Sequence, residues 1–141
     1  MDHLPQLAGR PMVTDGGLET DLIFNHGVEL EEFAAYPLLG DPAGRALLTG
    51  YYDAYASIAA RAGAGLLLES PTWRANPDWG ARLGHSTADL DRANSDAVDL
   101  LASLRVRYAA ECPSRAPQSG LARHVGDSRS RPAPARAAME A

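Results

Sequence analysis

The sequence predicts an α/β fold with parallel strands, and three observations support this prediction. Two short apolar runs, at residues 11–14 and 65–68, each end in a polar loop, as buried parallel strands do. A long helical pattern separates them, which supplies the crossover that parallel strands require. A second long helical pattern follows the later run. The predicted order is therefore strand, helix, strand, helix.

The first strand is predicted over Pro11 to Thr14, and it stops at Asp15-Gly16-Gly17. The glycine pair lets the backbone turn sharply and lets a ligand come close to it. Leu18 to Phe24 then has the pattern of a short helix, with Asn25-His26-Gly27 as its stop signal. Residues 28–42 show no clear pattern.

The long helix begins with Asp41 as the predicted N-cap and Pro42 at the first helical position. Gly63 ends it as the residue beyond the last turn. One apolar face recurs at helical spacing and comprises Leu47, Leu48, Tyr51, Tyr55, Ile58, Ala59 and Ala62. Gly65 to Leu68 follows at once as the second strand.

A polar loop over 69–78 leads to one predicted helical turn at 79–83. Ser86 or Thr87 is the predicted cap of the next helix, which extends to about Ala110. Its apolar stripe consists of Leu90, Ala93, Ala97, Leu101, Leu104 and Tyr108.

Two strands cannot close a sheet or cover both of its faces, and a (β/α)8 barrel takes about 250 residues. We therefore expect residues 1–111 to form the N-terminal βαβα portion of a (β/α)8 TIM-type barrel, incomplete in this chain. Residues 112–141 differ in composition, with five arginines, four prolines and no apolar run of strand length. They are predicted to be a disordered or frameshifted tail that contributes no third strand.

Charge and composition narrow the classes of function. Residues 1–111 carry eight arginines against sixteen acidic residues, which argues against a nucleic-acid partner. No run approaches the roughly 20 apolar residues that span a bilayer, so no membrane segment is expected. A single cysteine fits a reducing compartment, and a cytoplasmic location is predicted.

Three segments, in this order and spacing, resemble the homocysteine S-methyltransferases. They are Val13-Thr14-Asp15-Gly16-Gly17-Leu18-Glu19-Thr20, then Ala62-Gly63-Ala64-Gly65, then Glu69-Ser70-Pro71-Thr72-Trp73-Arg74-Ala75-Asn76. Asn94 followed by Ala97-Val98 is similar to a helix pattern of the same family. The resemblance covers about residues 10 to 110.

The resemblance implies methyl transfer from a small sulfonium or ammonium donor to the homocysteine thiolate, which gives methionine. It implies that Asp15 and Gly16 contact the amino-acid part of homocysteine, and that Ser70 and Thr72 line the same pocket. Glu69 departs from the small polar or amide residue usual there, so it is a further substrate-binding candidate. The family holds zinc with three later cysteines. This chain has only Cys112, so it is expected to be inactive by itself.

Simpler interpretations stand beside these. Asp15-Gly16-Gly17 is also an ordinary turn signal, and Glu69 could form an ion pair with a nearby arginine. Trp73 and Trp79 could wall a pocket for a methylated cation or could only pack helices. Tyr51, Tyr52 and Tyr55 have the spacing of packing residues, and His85 that of a loop residue.

Three hypotheses about function remain open at this point. The chain is the front part of a homocysteine S-methyltransferase-like enzyme, a degenerate gene product without catalysis, or a half-barrel binding module that needs a separately encoded C-terminal half-barrel. The methyl donor is not identified by the sequence.

Overall fold

A computed structural model describes residue 9, residues 11–111 and residues 120–122. Its strands and helices, in chain order, are β1 (Met12–Thr14), α1 (Leu18–Phe24), α2 (Pro42–Ala62), β2 (Gly65–Glu69), α3 (Pro77–Arg82), α4 (Thr87–Glu111) and β3 (Gly120–Ala122). Two 3₁₀ turns, Glu31–Phe33 and Tyr36–Gly40, lie between α1 and α2, where no clear pattern is present in the sequence.

The sheet is small and parallel, with the strand order β1-β2-β3. Strands β1 and β2 are in register from Met12 opposite Gly65 to Thr14 opposite Leu67. Helix α2 connects these strands and packs against both. The prediction of an α/β chain with parallel strands is therefore confirmed, although the described part is mostly helical.

The prediction that no strand follows α4 was wrong for residues 120–122. The backbone of β3 pairs in parallel with β2, from Gly120 opposite Leu67 to Ala122 opposite Glu69. A strand of three residues is too short to show side-chain alternation, and backbone pairing with an open strand edge can hold almost any sequence. The rest of the predicted tail lies outside the described residues.

Both ends of α2 have the predicted caps. The Asp41 carboxylate accepts a hydrogen bond from the Gly44 N–H at 2.9 Å, which satisfies one free donor of the first turn. Gly63 has φ 61° and ψ 24°, the left-handed conformation that glycine adopts most easily. The helix therefore has defined ends, which sets where β2 begins.

The buried face of α2 agrees with the predicted one only in part, since Leu48, Tyr51 and Ala59 are buried as predicted. Leu48 and Tyr52 are completely buried, whereas Leu47 and Ile58 are 37% and 43% exposed. Both of the exposed residues lie just beyond the edge of the buried arc, about a quarter turn from its centre. Because apolar residues cover more than half of the circumference, spacing alone did not indicate which part of it meets the sheet.

Helix α4 buries the predicted stripe. Leu90, Ala97, Leu101, Leu104 and Tyr108 all lie in the core, and Ala93 packs at its border. Ser86 caps the helix through a reciprocal pair with Asp89, whose carboxylate accepts from the Ser86 N–H at 2.9 Å.

The Asn94 amide, singled out in the sequence, donates to the Ala75 carbonyl at 3.3 Å. This bond fastens α4 to the loop that follows β2. Among the helices of the described ranges, none has the length and apolarity to cross a membrane.

Candidate functional site

A cleft of about 200 Å³ opens at the carboxyl ends of β1 and β2, where parallel α/β folds place their ligands. Its lining comes from the loop after β1, the first turn of α1 and the loop after β2. The lining residues are Asp15, Gly16, Gly17, Leu18, Glu19, Glu69, Ser70 and Trp73. The structure thus brings four of the five predicted substrate-binding residues to one cleft.

Asp15 joins the two strand ends and is 8% exposed. Its Oδ1 accepts a hydrogen bond from the Glu69 N–H at 2.7 Å, and its Oδ2 accepts a longer one from the Tyr51 hydroxyl at 3.3 Å. Burial raises the pKa of this carboxyl, while the two hydrogen bonds oppose the shift. Keeping Asp15 ionised in the folded chain therefore costs free energy.

The Gly16 carbonyl is held by two tyrosines of α2. It accepts from the Tyr51 hydroxyl at 2.9 Å and from the Tyr55 hydroxyl at 3.0 Å. The next residue, Gly17, has φ 68°, and this left-handed turn leads directly into α1. The sequence interpretation gave these tyrosines a packing role only. Their hydroxyls also fix the backbone of the cleft wall.

Glu69 ends β2 with its side chain exposed and its backbone fixed. The Tyr52 hydroxyl donates to the Glu69 carbonyl at 2.8 Å, and burial raises the pKa of that tyrosine well above its ordinary value, so the hydroxyl stays a donor. Glu69 forms no ion pair with an arginine within the described ranges, so the pairing predicted as an alternative for it is not found there. Its exposed side chain lines the cleft.

Glu19 is a residue of this cleft that sequence reasoning missed. It lies half-buried in the first turn of α1, four residues after Asp15. Burial raises the pKa of the Glu19 carboxyl, the Arg74 charge opposes the shift, and the Glu69 charge adds to it. Its place two residues after the Gly-Gly pair was the available signal. The cleft therefore contains three carboxyl groups.

Ser70 and Thr72 have different positions. Ser70 lines the cleft, while Thr72 is 2% exposed and lies behind it. Their hydroxyl oxygens are 2.7 Å apart and form a hydrogen bond. Thr72 thus positions Ser70, and a direct contact between Thr72 and a substrate stays a prediction.

Trp73 and Trp79 face arginines of the same chain. The Arg74 guanidinium carbon lies 4.5 Å from the centre of the Trp73 ring and 3.7 Å from that of Trp79. Arg82 lies 4.7 Å from the Trp79 ring, on α3. Trp73 itself is 53% exposed and forms one wall of the cleft. Contact of these rings with a methylated cation stays a prediction.

The residues present do not fit the three-thiolate zinc site that the resemblance implies, because the chain has one cysteine. Cys112 lies outside the described residues. Within those residues, no group of three or more His, Cys, Asp or Glu side chains is arranged to hold a metal ion.

A second cleft of about 200 Å³ lies away from the strand ends, between the Tyr36–Gly40 turn and α4. The Tyr36 hydroxyl and His85 Nδ1 are 2.7 Å apart there, so His85 is a loop residue with a fixed partner. Asp96 pairs with Arg45 at 3.5 Å, and Asp89 pairs with Arg92 at the same distance. The acidic groups of this second cleft are therefore already paired with arginines of the chain.

No protein-family model, curated protein or solved structure significantly matches this chain. The resemblance to homocysteine S-methyltransferases therefore stays a prediction from the residues quoted above.

Proposed function

We propose that this chain binds the amino-acid part of homocysteine, as the N-terminal portion of a homocysteine S-methyltransferase-like (β/α)8 barrel. The observation that supports the proposal best is the cleft at the carboxyl ends of β1 and β2, where Asp15, Glu19 and Glu69 meet. Barrel enzymes bind substrates at this face of the sheet. All the residues that line it belong to the segments that resemble the family.

The chemistry of the cleft favours a ligand with a positively charged group. Three carboxyl groups and one exposed indole attract a cation, and the nearby Arg74 offsets only part of the negative charge. A substrate ammonium would pair with the exposed Glu69 carboxylate and lie close to Asp15. The Gly16 and Gly17 backbone would border it without a side chain in the way.

Methyl transfer itself is assigned to the assembled barrel. The homocysteine sulfur attacks the donor's methyl carbon, so that a sulfur–carbon bond forms as the bond to the donor sulfur or nitrogen breaks. Zinc would favour the thiolate, but this chain does not provide the ligands for it. A C-terminal half-barrel would have to supply that metal site, and the chain alone is proposed to bind substrate without turnover.

Calorimetric titration of the full chain with homocysteine tests the proposal. We expect saturable binding, which Glu69→Gln weakens about tenfold because a charge-assisted contact with the ammonium is lost. Glu29→Gln is the matched control, since it makes the same chemical change at an exposed residue outside the cleft. Equal affinities of the wild type and of Glu69→Gln, or no binding at all, would contradict the proposal. The second result would favour a degenerate product.

A further inference from the structure

Arg74 has a guanidinium nitrogen without a hydrogen-bond partner among the residues that the structure describes. It forms no ion pair with an acidic side chain in the part of the chain that the structure describes. Its Nε is buried and has no hydrogen-bond partner there. Buried polar groups in native proteins are normally paired, so an unpaired guanidinium nitrogen calls for a functional explanation.

The two indoles determine how this guanidinium can be used. Trp73 and Trp79 lie 4.5 Å and 3.7 Å from its carbon, which is the range of cation–π contact. A guanidinium that contacts an aromatic ring can still donate hydrogen bonds through its N–H groups. A planar fork of donors held in this way is suited to a carboxylate.

The surroundings hold Arg74 beside the cleft. Trp73 is a wall of the cleft, and the Arg74 charge acts on Glu19, which lines it. Arg82 also contacts the Trp79 ring, at 4.7 Å, and pairs with Glu32 at 3.7 Å. The stack is thus supported from α3 and from the Glu31–Phe33 turn.

We infer that Arg74 binds the carboxylate of the ligand, so that the cleft selects a zwitterionic α-amino acid over a simple amine. The inference rests on the proposed function, because it takes the ammonium to lie at Asp15 and Glu69. The ammonium of the ligand would then face the carboxylates that line the cleft, and its carboxylate would face the guanidinium that contacts the Trp73 wall. Arg74 is a specificity-determining residue in this arrangement.

The test compares two ligands on the full chain by calorimetry: homocysteine and its decarboxylated analogue 3-aminopropanethiol, which keeps the amine and the thiol. We expect the wild type to bind homocysteine at least about tenfold more tightly. Arg74→Gln should lose that preference, because its affinity for homocysteine should fall about 10- to 100-fold while its affinity for the analogue stays unchanged. Arg74→Lys keeps the positive charge but lacks the planar set of N–H donors, so its affinity for homocysteine should lie between those of the wild type and Arg74→Gln.

Arg82→Gln is the matched control, because Arg82 also contacts the Trp79 ring but pairs with Glu32 and does not contact Trp73, the wall of the cleft. It should keep the wild-type preference. Equal affinity of the wild type for both ligands would overturn the role of Arg74 and leave the proposed ammonium site intact, and this readout does not depend on a variant folding. Failure of the wild type to bind either ligand would overturn both proposals.

Discussion

Replacing Asp15 by asparagine separates what this side chain does for folding from what it does for binding. The carboxylate accepts the Glu69 N–H at 2.7 Å, and an asparagine oxygen can accept the same bond. The contact that changes is the longer one with Tyr51 at 3.3 Å. The single hydrogen of that hydroxyl already donates to the Gly16 carbonyl at 2.9 Å, so its oxygen can accept from the asparagine amide. If that reversed bond does not form, its loss costs about 0.5–1.5 kcal/mol.

Removal of the buried charge offsets this loss. Because burial raises the pKa of Asp15, the folded state binds its proton more tightly than the unfolded state does. The stability linked to this group is present below the unfolded pKa of about 3.9 and is lost as pH rises through the folded pKa. At neutral pH we therefore expect the free energy of unfolding of Asp15→Asn to lie within about 1 kcal/mol of the wild type.

Two measurements test this reasoning. Urea denaturation over a pH series should show that the wild type loses stability relative to Asp15→Asn as the pH rises from about 4. Titration with homocysteine should show about 10- to 100-fold weaker binding to the variant, the usual worth of a hydrogen bond to a charged group. A variant that is several kcal/mol less stable at neutral pH yet binds homocysteine normally would refute the argument and make Asp15 purely structural.

Two further predictions concern the framework around the cleft. Gly44→Ala should lower the free energy of unfolding by about 1–3 kcal/mol, since the added methyl group would overlap the Leu38 carbonyl. Gly50→Ala is the control: it lies in open space on the same helix and should raise the free energy of unfolding by about 0.5–1 kcal/mol. Equal urea midpoints for the two variants would contradict the contact between Gly44 and Leu38. Tyr52→Phe should cost about 0.5–1.5 kcal/mol by removing the 2.8 Å bond to the Glu69 carbonyl, and an unchanged midpoint would mean that water replaces it.

The helices could be predicted because their signals are local. Asp41, Gly63 and Ser86 act within one turn of the helix end that they define, so the neighbouring residues are enough to recognise them. Asp15 and Glu69 could be predicted as neighbours for a different reason. Parallel strands bring their carboxyl ends to the same edge, whatever the chain does between them.

The features that were missed depend on tertiary contacts. The Tyr51 hydroxyl reaches a carbonyl 35 residues earlier in the chain, and the three-residue β3 is placed only by pairing with β2. The role of Arg74 could not be predicted, because the local sequence does not distinguish an arginine that contacts aromatic rings from one that is exposed to solvent. Exposure of Leu47 likewise depended on which part of a broad apolar surface meets the sheet.

The hydrogen bond between Asp15 and the Glu69 backbone spans 54 residues, with all of α2 inside the loop that it closes. The cleft therefore does not exist until both strands and their connecting helix have assembled. A ligand that occupies it binds only the folded chain and shifts the folding equilibrium by mass action, by about 2.7 kcal/mol at a hundredfold excess over Kd. Substrate supply would in this way set how much of the chain is folded.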